Sequence, residues 1–170
     1  MNNIAKRIER FSNIFEKKDL VSPLIANIKL KKDSFNRIKN ASILYLAKIM
    51  NLDYFPDEST IMELIEKHEF KNITPTGMIL PKNYSSIEYN LFLREYYSAI
   101  SELYFFNKLE SCHTPAHLRI KWPKTRKSDL ERPRHAPEEL HFDSWSGYSS
   151  LGLTFLIGVI GDIEKNRVNF

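Results

Sequence analysis

With 42% hydrophobic and 12% aromatic residues in 170, the chain has enough apolar content for one domain with a sizeable core, which excludes a low-complexity or disordered polypeptide. Its one cysteine, Cys112, excludes an intrachain disulfide framework and fits a reducing, cytoplasmic setting, and the longest apolar run, Leu151 to Ile160, is about half of a membrane span. The net charge of +4 is modest, so its distribution carries more information than its size.

Helical patterns dominate residues 1–110. Ile4, Ile8, Phe11, Ile14 and Phe15 recur at the three-to-four spacing of one helix face, and Phe35, Ile38, Leu44, Ala47 and Met50 repeat it more loosely. A third helix is expected to start at Ser59-Thr60, where Thr60 stands three residues ahead of Glu63 in capping-box spacing. Pro75 and the turn-prone Pro81-Lys82-Asn83 separate it from a longer helix, Ser85 to about Lys108. Tyr89, Phe92, Tyr96, Tyr97, Tyr104, Phe105 and Phe106 lie along it at helical spacing, which assigns them to a core in preference to a ligand-binding wall. This helix is the expected packing partner of a sheet.

Composition changes after Glu110, and residues 111–170 read as a β region within the same structural unit. His113 and His117 have the spacing of a helical metal pair, but Pro115 between them opposes a helix, so they are read as loop or strand-entry residues. Cys112 is read as an idle thiol and not a nucleophile, because neighbours in sequence such as Cys112 and His113 rarely face each other. A strand over Leu118 to Trp122 leads into a segment, residues 119–134, that sets Arg119, Lys121, Lys124, Arg126, Lys127, Arg132 and Arg134 against Asp129 and Glu131. With Pro123 and Pro133 in it, this reads first as a solvated loop, and second as a site for an anionic molecule.

His141-Phe142-Asp143 follows. In a strand, residues i and i+2 share a face, so His141 and Asp143 project together while Phe142 points the other way. An imidazole and a carboxylate on one face suit divalent iron, and with a second histidine they would leave positions open for a cosubstrate and dioxygen. Ser144-Trp145-Ser146-Gly147-Tyr148 then reads as a turn, and Leu151 to Ile160 as a strand.

His141-Phe142-Asp143-Ser144-Trp145, the glycine turn, the apolar strand, Gly161-Asp162 and Asn166-Arg167-Val168-Asn169-Phe170 resemble part of the iron(II)/2-oxoglutarate-dependent oxygenase superfamily, nearest its phytanoyl-CoA dioxygenase-like branch. The resemblance covers about residues 115–170. It implies an α+β fold in which N-terminal helices pack on a double-stranded β-helix, the jelly-roll or cupin-like sheet, incomplete here because about three of roughly eight strands are accounted for. It also implies Fe(II) and 2-oxoglutarate as cofactors, with His141 and Asp143 as metal ligands. Thr154 and Asn169 would bond the cosubstrate, while Trp145, Tyr148, Arg132 and Arg134 would face a small, anionic substrate. The family's distal histidine and cosubstrate-binding arginine are expected to lie beyond Phe170, as in the N-terminal portion of a truncated enzyme.

The alternative expectation is a non-catalytic module that binds an acidic partner through residues 119–134 and pairs with a second copy through the exposed final strand, Arg167 to Phe170. Neither a membrane nor nucleic acid is an expected partner.

Overall fold

The computed structural model describes residues 3–67, 86–111, 116–120 and 152–162. Within them the protein mixes helices with a small antiparallel sheet, an α+β composition. Helix α1 spans Asn3–Ile14, α2 Lys32–Ile49, α3 Glu58–Lys67 and α4 Ile87–Ser101. Strands β1 (Leu20–Ser22) and β2 (Ile25–Ala26) form an irregular hairpin around Pro23 and Leu24, pairing Leu20 with Ala26 and Ser22 with Ile25.

Among the described residues, helix α2 is the most deeply buried element. Its residues Ala41, Ser42, Ile43, Tyr45, Leu46 and Ala47 are buried on several sides, the pattern of a helix surrounded by others and not of one lying on a surface. The Ser42 hydroxyl, fully buried, donates to the carbonyl of Ile38 at 2.8 Å and so is satisfied within the core. Asn51 ends the helix in the left-handed region at φ 55, with its N–H on the Lys48 carbonyl and the Leu52 N–H on the Ala47 carbonyl. These two bonds are a Schellman cap, and asparagine tolerates the conformation it needs.

Helices α2 and α4 run antiparallel, with Ser34 and Arg37 near the end of α4 and Tyr45 beside Tyr89 and Phe92. Tyr45, Tyr89 and Phe92 pack with ring centroids 5.2 to 6.3 Å apart and join Ala41, Ile43, Leu46 and Ile61 in the main cluster. Burial at this contact pushes the Tyr45 phenol above its usual pKa.

Helix α3 begins at Glu58, close to the expected start, but its cap is Asp57. The Asp57 carboxylate accepts the Thr60 N–H at 2.7 Å and the Ser59 hydroxyl at 2.8 Å, so Ser59 and Thr60 lie inside the first turn. Helix α4 is capped by Ser86, whose Oγ accepts the Tyr89 N–H, and it ends at Ser101, short of Lys108. The reason is tertiary. Beyond Ser101 the chain tightens into turns that bring Phe105, fully buried, edge-on to Phe15 of the segment following α1, at 4.7 Å. The same turn lets the Tyr104 hydroxyl donate to Asp19 while accepting the Glu16 N–H, and lets Lys108 cap the last carbonyls of α1 at Asn13 and Ile14.

The residues described after 111 lie on this helical body. Ala116, Leu118, Ile120 and Ile160 pack against the main cluster, and the Tyr89 hydroxyl reaches the carbonyl of Ala116 at 3.4 Å. From 152 to 159 the chain is not assigned as a strand, yet its side chains alternate: Leu153, Phe155, Ile157 and Val159 are half-buried, whereas Gly152, Thr154, Leu156 and Gly158 are exposed. A period of two is that of an extended segment lying on a core. No described helix is long and apolar enough to cross a membrane.

Candidate functional site

Of the residues expected to form the iron and substrate site, Thr154 lies among those described. It sits on the outward side of the 152–159 segment, between half-buried Leu153 and Phe155. His141, Asp143, Trp145, Tyr148, Arg132, Arg134 and Asn169 lie outside the described residues, as do the expected final strand and nearly all of the basic segment. Arg119, at the start of that segment, is exposed between Leu118 and Ile120, whose side chains turn toward the core. His117 is exposed, and among the described residues no three His, Cys, Asp or Glu side chains come together as a metal-binding group.

The strongest polar constellation that the structure describes joins α2 to α4. Glu95 is buried within the face that also presents Phe92 and Ala99, and both of its oxygens are used. Oε2 accepts Arg37 Nε at 3.0 Å, and Oε1 accepts Arg94 Nε and Nη2 at 2.9 and 2.7 Å. Arg37 continues to Glu102 at 2.9 Å, and Glu102 also accepts the Ser34 hydroxyl at 2.9 Å and pairs with Lys31 at 3.3 Å. The Ser34 hydroxyl, with Lys31 and Arg37 beside it, holds the Glu102 carboxyl below its usual pKa.

Chemically this network is saturated. Its carboxylate oxygens are committed to arginine, lysine and serine donors, the arrangement of a structural tie between two helices. It fixes the register of the two helices. The signal in the sequence is a charged residue, Glu95, set inside an aromatic stripe; its partners Arg37 and Glu102 become visible once the helices are antiparallel.

A second constellation ties α2, α3 and the late segment together. Glu58 accepts the Gly161 N–H at 3.1 Å and the Lys39 ammonium at 3.2 Å, and the Gly161 N–H first, then Lys39, lowers its pKa. An open groove of about 580 Å³ lies between the hairpin and the end of α4, lined by Lys18, Lys29, Lys31, Tyr104, Val21 and Leu103 among others. Lys18 is engaged by Glu16 and Lys31 by Glu102, which leaves the groove with little uncommitted positive charge.

Comparison with protein-family models, with curated proteins and with solved structures finds no match.

Proposed function

We propose that the chain is an iron(II)- and 2-oxoglutarate-dependent oxygenase module, or the portion of one that carries the first two metal ligands. The observation that carries this reading is His141-Phe142-Asp143, followed at 152–159 by a segment whose side chains alternate inward and outward as a strand's do. An imidazole nitrogen and a carboxylate oxygen suit divalent iron, and His141 and Asp143 are the residues that would hold it; the third protein donor is left unassigned. When bound, iron and 2-oxoglutarate supply oxidative decarboxylation coupled to hydroxylation of a C–H bond. The protein's own part is to orient the reactants and exclude water, with Trp145 and Tyr148 toward the substrate, Arg132 and Arg134 toward its anionic group, and Thr154 or Asn169 toward the cosubstrate. In this reading the 152–159 segment is one strand of a double-stranded β-helix packed on the helical body.

Anaerobic titration with iron(II) and 2-oxoglutarate tests it. A metal-to-cosubstrate charge-transfer band that His141→Ala abolishes is the expected result. No band, together with salt-sensitive binding of an acidic partner by metal-free protein, would replace the enzyme with the interaction module of residues 119–134.

A further inference from the structure

Glu58 opens α3 one residue after its cap, and its two carboxylate oxygens serve two other elements. Oε2 pairs with Lys39 of α2, and Oε1 accepts the backbone N–H of Gly161, more than a hundred residues away in the chain. Gly161 has φ +86, a left-handed conformation that L side chains rarely adopt. A Cβ added there would meet Met62 of α3 at 3.5 Å, an ordinary contact, so it is the backbone conformation and not lack of space that calls for glycine. Just before it, Ile160 packs on the main cluster, and further back Phe155 stacks on buried Phe105 with nearly parallel rings, 5.9 Å apart.

We propose that Glu58 is a latch, which closes the 152–162 segment onto the helical body and engages it through the left-handed turn at Gly161. Lys39 holds the carboxylate in place from α2, so the latch is anchored on the most buried of the described helices. When the bond to Gly161 is broken, the segment loses a polar tie to α3 while its apolar side chains stay half-buried, and its opening becomes a local event with its own free energy, separate from unfolding of α2 and α4. The latch involves described residues alone and does not rest on the iron reading, so either can fail without the other.

Hydrogen–deuterium exchange of the full chain, resolved by peptide, tests the latch with Glu58→Ala, Glu58→Gln and a control on the exposed side of the same helix, Glu66→Ala. Glu58→Ala is expected to speed exchange over 152–162 about tenfold while α2 and α4 stay at wild-type rates, since a charge-assisted hydrogen bond is lost. Glu58→Gln, whose amide oxygen still accepts the Gly161 N–H, is expected to exchange more slowly than the alanine variant. Exchange over 152–162 in Glu58→Ala no faster than in Glu66→Ala overturns the proposal, as does an increase spread evenly over α2 and α4, or a glutamine variant no slower than alanine. If Glu58→Ala does not fold, Gly161→Ala leaves every helix intact and is expected to give the same local increase; wild-type exchange in that variant overturns the latch equally.

Discussion

The α2–α4 pair and the 152–162 segment rest on the same aromatic core, yet they are held to it by different means. Between the helices, fully buried rings of Tyr45, Tyr89 and Phe92 interlock, and Glu95 is clamped by two arginines. The late segment lays down alternate half-buried side chains, stacks Phe155 on Phe105 and gives the Gly161 N–H to Glu58, while Leu156 stays 64% exposed on its outer side. The first arrangement resists local opening because its rings are enclosed by others. The second can detach one contact at a time. A protein built this way has a rigid frame and a segment whose closure can be tuned by single residues.

Equal truncations in the two regions give the largest expected contrast. Phe92→Ala removes a ring from the enclosed cluster and is expected to cost about 3–5 kcal/mol, through lost burial and the cavity left behind. Phe155→Ala removes a half-buried ring with freedom to collapse, and is expected to cost about 1–2 kcal/mol. Urea midpoints of the two variants measure the gap; similar losses would show that the late segment is as integral to the fold as α4.

A smaller effect separates charge from packing at the helix pair. Glu95→Gln keeps shape and some hydrogen bonding but removes the charge that holds Arg37 and Arg94. Both arginines retain solvent, with side chains 43% and 72% exposed, so the expected cost is about 1–2 kcal/mol and not the larger loss of a dry ion pair. A double-mutant cycle with Arg37→Met apportions it: coupling near zero would assign Glu95 a packing role only.

How much of this was legible in the sequence follows from the range of the interactions. Helices α1 and α2 are legible because their apolar spacing is a local property, and α3 because Ser59-Thr60, with Thr60 in capping-box spacing to Glu63, precedes its stripe, although the residue that caps it is Asp57. The end of α4 is not, since Ser101 gives way to turns through distant contacts of Phe105 with Phe15 and of Tyr104 with Asp19. The hairpin at 20–26 is too short to show an alternating pattern, and it falls in a stretch that reads as mainly helical. At the candidate site, an apolar strand-forming run over Leu151 to Ile160 is legible, but which of its side chains turn inward is not, because outward Leu156 is as apolar as its inward neighbours; Thr154 stands on the outward side. His141 and Asp143 remain a reading of sequence, and Glu58 was invisible there because its partner is a backbone N–H at Gly161.

The smallest expected effect is one of pH, and it bears on both regions at once. Glu102 at the helix pair and Glu58 at the late segment both have folded-state pKa values below the ordinary glutamate value, the first through the Ser34 hydroxyl and then Lys31, the second through the Gly161 N–H and then Lys39. In the window between the unfolded and the depressed folded pKa, the unfolded chain binds more protons than the native one, so stability rises with pH there. The stabilisation is fully present above the ordinary glutamate value and is lost as pH falls through the lowered one. Urea midpoints followed from neutral to acid pH are therefore expected to decline on the acid side, and Glu102→Gln is expected to flatten that decline relative to Glu66→Gln. Glu58→Gln should flatten it less, because opening the late segment removes a local contact and leaves the enclosed cluster standing; its acid sensitivity is expected instead in proteolysis near 152–162. If the two variants flatten the curve equally, the segment and the helix pair unfold as one unit.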